Sequence, residues 1–260
     1  MDSRTASSGD GDHIVRSFDE ELEHLDQIVV RMGGLAEAQL WNAIEAVVKR
    51  DAELARRVLE SDHVIDDLEL QLQDEAVNVL ALRQPMANDL RAVVAALKIA
   101  SDLERIGDYA KNVAMRAQVL SQTRQVEPVR GIPRMARLVQ GIIKDTLDSY
   151  IARDAEKAID VWIRDREVDE MHTGLFRELL TYMMEDPRSI TPCTHLLFIA
   201  RNIERMGDHA TNVAETIHYM VTGERIEGHR PKGDRSSFQL VEAPNGEAPD
   251  EAPEGEEARP

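Results

Sequence analysis

The sequence predicts an all-α protein made of two tandem three-helix bundles, followed by a disordered acidic tail. Three observations support this fold class. Aromatic residues make up only 4% of the chain while 42% is hydrophobic, a composition typical of long packed helices rather than sheets. Apolar residues recur with helical spacing from about His13 to Thr222. Several short motifs also appear twice, about 100 residues apart.

Turn chemistry divides the helical region into six segments. Asp51 and Asp154 each follow an Arg and precede Ala-Glu, so each carboxylate is expected to cap the next helix. Thr191, directly before a proline, is predicted to cap the last helix. Prolines at the other junctions mark positions where a missing amide hydrogen is tolerated. The predicted helices span 13–49, 52–83, 86–121, 131–152, 155–185 and 192–221.

The internal repeat defines the domain organisation. Arg50-Asp51-Ala52-Glu53 recurs at 153–156, and Leu103-Glu104-Arg105-Ile106-Gly107-Asp108 recurs as Ile203-Glu204-Arg205-Met206-Gly207-Asp208. The unit is therefore helix-helix-helix, with the first copy at 13–121 and the second at 128–222. Residues 1–12 are predicted to be a disordered lead. Residues 223–260, rich in Gly, Pro, Glu and Ser, are predicted to be a disordered tail.

Charge and composition exclude several classes of function. A formal net charge of −18 argues against unaided binding to nucleic acid or anionic lipid, and favours metal ions or a cationic partner. The single cysteine, Cys193, is expected in the core of a protein in a reducing compartment. No run approaches the roughly 18 apolar residues that a membrane span needs. The polar, acidic N-terminus lacks a secretory signal, so a cytoplasmic location is expected.

The repeated motif places two carboxylates on one helix face. Glu104 and Asp108, like Glu204 and Asp208, stand four residues apart, about one helical turn. Like charges at this spacing repel, and a bound cation would reverse that effect. Carboxylate oxygens are ligands for Mg²⁺ and Mn²⁺ and also serve non-haem iron. The alternative is an ordinary solvated acidic face, but identical recurrence and apolar flanks favour a metal site.

A second pair of carboxylates precedes each motif by one helix. Asp62 and Asp66 in the first copy correspond to Asp165 and Asp169 in the second. If each antiparallel hairpin aligns the pairs, every repeat offers four carboxylates to a hard cation, with water completing its shell. The alternative is that these aspartates simply solvate the second helix.

A glycine stands inside each motif, at Gly107 and Gly207. Glycine inside a helix costs about 1 kcal/mol relative to alanine. That cost indicates either close approach of a neighbouring helix, a role in the metal site, or both.

The histidines and the known catalytic motifs give no consistent sign of a catalytic centre. Glu60-x-x-His63 and Glu21-x-x-His24 formally match the Glu-x-x-His element of di-iron bundles. However, Arg166 replaces His63 in the second copy, and no histidine keeps its place under the duplication. No phosphate loop, nucleophile elbow or Cys/His pair is found. A non-enzymatic protein is predicted.

The duplicated motif, together with Arg83-Gln84-Pro85 and Glu185-Asp186-Pro187-Arg188, resembles the PhoU family of accessory regulators of phosphate-specific transport over residues 13–222. The resemblance implies a cytoplasmic homodimer of two three-helix bundles per chain, with metal sites at E/D-x-x-x-D motifs. The matching positions are Asp62, Asp66, Glu104, Asp108, Asp165, Asp169, Glu204 and Asp208.

The same resemblance implies a role in signalling. Members of the family restrain the phosphate-starvation response by linking the phosphate ABC transporter, through its ATPase, to a membrane sensor histidine kinase. The residues themselves leave two other readings open. One is a ferritin-like di-iron oxidase or iron-binding helical protein, and the other is a structural helical scaffold whose acidic pairs are incidental.

Overall fold

The computed structural model describes the backbone of residues 9–126 and 130–228, with side chains from Phe18 onward. This part of the chain contains α-helices, short 3-10 segments and no strand. The helices are α1 (Gly9–Lys49), α2 (Ala52–Ser61), α3 (His63–Arg83), α4 (Asn88–Ser121), α5 (Gly131–Ala152), α6 (Ala155–Glu185) and α7 (Ile190–Thr222), with the 3-10 helix at Pro187–Ser189. Most of the predicted lead and tail, 1–8 and 229–260, lies outside the described residues.

The prediction of six helices is confirmed with one irregularity. The predicted helix 52–83 is interrupted at Asp62, between α2 and α3. Asp62 keeps right-handed helical dihedrals (φ −60°, ψ −44°), and its carbonyl accepts a hydrogen bond from the Ile65 amide at 3.0 Å. The chain therefore continues in the helical sense through this point, and α2 and α3 together form the second helix of the first repeat.

The aspartate caps form as the sequence predicts, whereas the threonine cap does not. Asp51 accepts hydrogen bonds from the Glu53 and Leu54 amides at 3.0 and 2.9 Å, and Asp154 accepts one from Lys157 at 3.0 Å. The prediction that Thr191 caps the last helix is wrong. Helix α7 begins at Ile190, before Thr191, because the 3-10 turn that precedes it leads directly into the helix.

Two three-helix groups pack into one body. In the first, α1 and α2–α3 lie against α4, and in the second, α5 and α6 lie against α7. The groups are joined by contacts of α4 with α7 and of α1 with α5. A single cluster of buried apolar side chains runs through both groups and includes the predicted core residue Cys193. Since burying one large apolar side chain contributes about 1.5–3 kcal/mol, this shared core stabilises both repeats together.

No helix in the described ranges is both long enough and apolar enough to cross a membrane.

Candidate metal centres

The two repeated motifs lie on α4 and α7, the third helix of each repeat. The Glu104 side chain is 19% exposed and the Glu204 side chain only 6%. These glutamates do not lie on a freely solvated face, because helices of their own repeat cover them. The structure thus argues against the simplest alternative, in which the acidic pairs are ordinary surface residues.

In the first repeat, the predicted carboxylates and the nearby Glu69 form one electrostatic cluster. Burial and the neighbouring charges of Asp108, Glu69 and Asp66 together raise the pKa of Glu104 to about 7, against the opposing charge of Arg105. Burial also raises the pKa of Asp66, with additional contributions from Asp62 and Asp108. The hairpin between α2–α3 and α4 therefore brings the two predicted pairs of this repeat into one neighbourhood.

A lysine ammonium already lies in this first cluster. Lys111 Nζ forms an ion pair with Asp62 and lies 3.8 Å from Asp108 Oδ1. The Asp62 residue is only 3% exposed. Its hydrogen bond is the main reason why the pKa of Lys111 is raised. One acidic side of the first cluster is thus neutralised by a cation of the protein itself.

The second cluster has a different balance of charge. Burial and the neighbouring charges of Asp208 and Asp169 together raise the pKa of Glu204 to about 7, while Arg201 opposes them. Glu204 Oε1 accepts a hydrogen bond from the Arg201 guanidinium at 2.9 Å. Glu204 Oε2 is buried and receives no hydrogen bond, with Arg205 Nε 4.0 Å away. A buried carboxylate oxygen in this condition is costly unless a further donor or cation meets it.

Thr211 stands where the repeat register places Lys111 in the first copy. Its hydroxyl lies 3.3 Å from Asp165 Oδ1 and 2.9 Å from the Gly207 carbonyl. Asp165 is fully buried. A neutral hydroxyl therefore takes the place of an ammonium, and the second cluster lacks the lysine charge that the first one contains.

The donor chemistry fits a hard cation, although the side chains do not form a complete cage. Within residues 18–126 and 130–228, no three His, Cys, Asp or Glu side chains are arranged so that they could hold a metal ion. Mg²⁺ commonly binds through one or two carboxylates and keeps several waters. The pair of Glu204 and Asp208 meets that lower requirement, and its unbonded Oε2 makes it the better fit. The eight predicted ligands stay predictions.

Close packing explains one of the two motif glycines. A Cβ at Gly107 would lie 3.0 Å from Ile65 Cδ1 and 3.3 Å from Gln39 Oε1, so the side chains of α3 and α1 close directly on α4. A Cβ at Gly207 would lie 3.4 Å from Val168 Cγ1, which is ordinary van der Waals contact. Close helix packing accounts for the first glycine, while the second leaves room for a methyl group.

The histidines are engaged elsewhere. His24 Nε2 lies 3.3 Å from Glu75 Oε1, and His63 is exposed, with its Nδ1 2.8 Å from the Glu60 carbonyl oxygen. His209 Nδ1 lies 2.7 Å from Asp102 Oδ1, which joins α7 to α4. These contacts do not assemble the paired Glu-x-x-His sites of a di-iron bundle.

Three residues near the clusters were not predicted. Lys111 and Thr211 stand three residues after the motif aspartates, and their mismatch within the repeat was a usable signal. Glu69 acts on Glu104 through space from α3, and the repeat register equates it with the buried His172. Its contribution depends on how the helices are rotated, which the motif spacing does not reveal.

Comparison with known proteins gives a consistent result. The PhoU domain matches residues 29–117 and again 132–217. A phosphate-specific transport system accessory protein PhoU homolog of Caulobacter vibrioides is 53% identical over 86% of this chain and 97% of its own length. A homolog with the same name from Rhizobium meliloti is 50% identical over 86% of this chain and 95% of its own.

Solved structures extend the likeness to the fold. The crystal structure of PhoU from Pseudomonas aeruginosa has a TM-score of 0.77 and 39% identity, and covers 80% of this chain and 100% of that one. The phosphate transport system regulatory protein PhoU from Streptococcus pneumoniae has a TM-score of 0.75 and 30% identity, over 81% of this chain and 99% of that one. Two domain matches, high identity and a shared fold agree, and the chain belongs to the PhoU family.

Proposed function

We propose that this protein is a non-enzymatic, cytoplasmic regulator of phosphate uptake and of the phosphate-starvation response. The observation that carries the proposal is the 53% identity, over 86% of this chain and 97% of the relative, to a protein named as a phosphate-specific transport system accessory protein PhoU homolog. The sequence also lacks the phosphate loop and the nucleophile motifs of common enzyme classes. Regulation would then proceed through binding rather than through chemistry.

The carboxylate clusters supply the part of this proposal that concerns metal. Each motif holds a glutamate, partly buried in the first copy and buried in the second, whose pKa is raised to about 7 by burial and by neighbouring carboxylates. Mg²⁺, Mn²⁺ or iron would relieve this repulsion and fix the charge of the surrounding face. Because charge complementarity governs partner choice and association rate, bound metal is a physical means of tuning docking.

The docking partners in this proposal are the phosphate ABC transporter ATPase and a sensor histidine kinase at the inner face of the membrane. The protein would act as a homodimeric adaptor between them and restrain signalling by its conformation or by steric contact. The acidic net charge of −18 favours cationic surfaces on those partners.

Calorimetry with Mn²⁺ tests the metal component, and the chain contains a matched control. Glu156 and Asp160 have the same spacing as the motif but are both exposed on α6. We expect Glu204→Ala with Asp208→Ala to abolish binding at the second cluster, and Glu156→Ala with Asp160→Ala to leave the isotherm unchanged. Equal isotherms for both double variants would support the scaffold alternative.

The adaptor component is tested with purified partners. The metal-loaded chain is expected to retain the transporter ATPase and the histidine kinase on a column, and recovery of neither contradicts the proposal. The oxidase alternative predicts that iron-loaded protein consumes dioxygen and that Glu104→Ala with Asp108→Ala stops it. We expect no consumption from either protein.

A further inference from the structure

The internal repeat creates two related cavities away from the carboxylate clusters. The first is lined by Arg50 in the turn between α1 and α2, and by Leu120, Pro192 and Leu196. The second is lined by Arg153 in the turn between α5 and α6, and by residues that the repeat register equates with those three, namely Met220, Ala92 and Ala96. Both arginines have left-handed backbone conformations, with φ of 56° and 53°. The cavities are therefore two copies of one structural feature.

The chain fills the first cavity with its own segment. After α4, Arg124, Gln125 and Val126 line the cavity and leave only about 20 Å³ of space. Val126 is partly buried against the core, and Arg124 forms an ion pair with Asp186 at 3.1 Å. The first cavity is thus occupied by an apolar side chain that follows a cationic residue by two positions.

The segment that follows α7 takes another direction. Gly223, at φ +77°, ends the helix and donates its amide to the Tyr219 carbonyl at 2.8 Å. Ile226, the counterpart of Val126, then lies along a different groove beside Val94 and Trp162. Because Thr123 stands at the position of Gly223 in the first copy, the left-handed turn is special to the second. The described residues leave about 340 Å³ in the second cavity.

The second cavity offers apolar walls and a carboxylate, the two kinds of partner that residues 124–126 meet at the first cavity. Leu22, Leu25 and Ala96 give it apolar walls, and Asp89 carries a carboxylate on its rim, in the first turn of α4. At the first cavity the cation Arg124 pairs with Asp186, directly before the 3-10 helix that leads into α7. By the repeat register Asp89 lies three residues further along than the counterpart of Asp186, and it offers a carboxylate near the start of α4. The volume falls within the range of pockets that bind small ligands or inserted side chains, about 300–1,000 Å³.

We propose that the second cavity binds an extended segment of a partner protein that carries a cationic residue two positions before a branched apolar residue. The apolar side chain occupies the space between α1 and α4, and the cation meets Asp89. The inference extends the proposed function, because it describes the chemistry of a segment that one docking partner would present. It rests on the proposed function only in assuming that such a partner exists.

A peptide with the first repeat's own filling sequence is the direct probe. The full-length chain is titrated against fluorescent Gln-Thr-Arg-Gln-Val, the sequence of residues 122–126, with Gln-Thr-Glu-Gln-Ser as the control peptide. We expect only the first peptide to bind. Filling the cavity by Ala92→Leu should weaken binding at least tenfold. Removing the rim charge by Asp89→Asn should weaken it about two- to fivefold, as for an exposed ion pair.

Matched variants and a folding check keep the result decisive. Asp160→Asn removes an exposed charge on α6 and should leave peptide affinity unchanged, and circular dichroism confirms the fold of each variant. If Ala92→Leu does not fold, the test is the peptide affinity of Asp89→Asn compared with that of Asp160→Asn. Equal affinity of the variants and the wild type, binding of the control peptide, or no binding to the full chain overturns the proposal. None of these outcomes alters the Mn²⁺ isotherm, so the metal component of the proposed function is judged separately.

Discussion

Replacing Lys111 by the threonine of the second repeat should strengthen metal binding at the first cluster. The lysine ammonium pairs with Asp62 and lies 3.8 Å from Asp108 Oδ1, so a divalent cation bound there would meet its repulsion or have to displace it. Lys111→Thr removes that charge and introduces the hydroxyl that Asp165 already accommodates in the second cluster. The substitution is therefore one that this fold tolerates.

The magnitude follows from Coulomb's law. Two unit charges about 4 Å apart interact by about 1 kcal/mol in bulk water and about 4 kcal/mol near a protein surface. Because the Lys111 side chain is partly exposed and can turn away, the lower part of this range applies. We expect a gain of about 1.4–3 kcal/mol, or about 10- to 100-fold in affinity. Without metal, the buried Asp62 loses its ion pair, which should lower the free energy of unfolding by about 1–3 kcal/mol.

The assay isolates the first cluster. Calorimetry with Mn²⁺ is carried out in the background of Glu204→Ala and Asp208→Ala, with and without Lys111→Thr. Lys98→Thr, which removes an exposed positive charge from the same helix, is the control. Thermal unfolding should show a lower Tm for the metal-free Lys111→Thr variant and recovery with Mn²⁺. Unchanged or weaker binding on Lys111→Thr, or an equal gain on Lys98→Thr, would refute the competition between lysine and metal.

Three further results are expected. Gly207→Ala should raise the free energy of unfolding by up to about 1 kcal/mol, whereas Gly107→Ala should gain less or lose, because its methyl group would crowd α3 and α1; urea unfolding of both variants measures the difference. Because burial raises the pKa of Glu204 to about 7, the folded state binds this proton more tightly than the unfolded state. The stabilisation from this proton is present below about pH 4.5 and is lost as pH rises through 7. Without metal, denaturation between pH 5 and 8 should therefore show a falling free energy of unfolding, and with Mn²⁺ a rising one. Glu204→Gln should give a flatter pH profile. Asp51→Ala should lower stability by about 1 kcal/mol, since two amides lose their acceptor, and a smaller Tm change than for an exposed control such as Asp160→Ala would contradict this role.

Local chemistry was enough to predict the helices and most of their ends. Asp51 and Asp154 cap α2 and α6 because the capping bond involves residues within three positions of each aspartate. Thr191 failed as a cap because the 3-10 turn before it changes where α7 begins, and that turn is held by the Ser189 hydroxyl, which donates to the Tyr182 carbonyl seven residues earlier at 2.7 Å. Sequence patterns capture bonds between near neighbours better than choices between alternative turns.

The candidate site was predicted only in outline. The repeat identified the four carboxylates of each unit, but the ion pair of Lys111 with Asp62 joins α4 to the α2–α3 junction and depends on the rotation of one helix against another. The raised pKa of Glu204 likewise arises from burial by packed helices. The sequence shows that one copy has a lysine where the other has a threonine. The effect of this difference on the charge of the clusters becomes clear only from the tertiary contact.

The direct packing of α4 on α7 has a consequence for how the two motifs respond to ligand. Asp102, two residues before Glu104, bonds to His209, the residue after Asp208, at 2.7 Å. If the proposed cation at the first cluster shifts α4, this bond would pass part of the shift to α7 beside the second cluster. Thermodynamic linkage requires this effect to be reciprocal. The two halves should then titrate as a coupled pair, and the protein would report metal concentration over a range set by both clusters jointly.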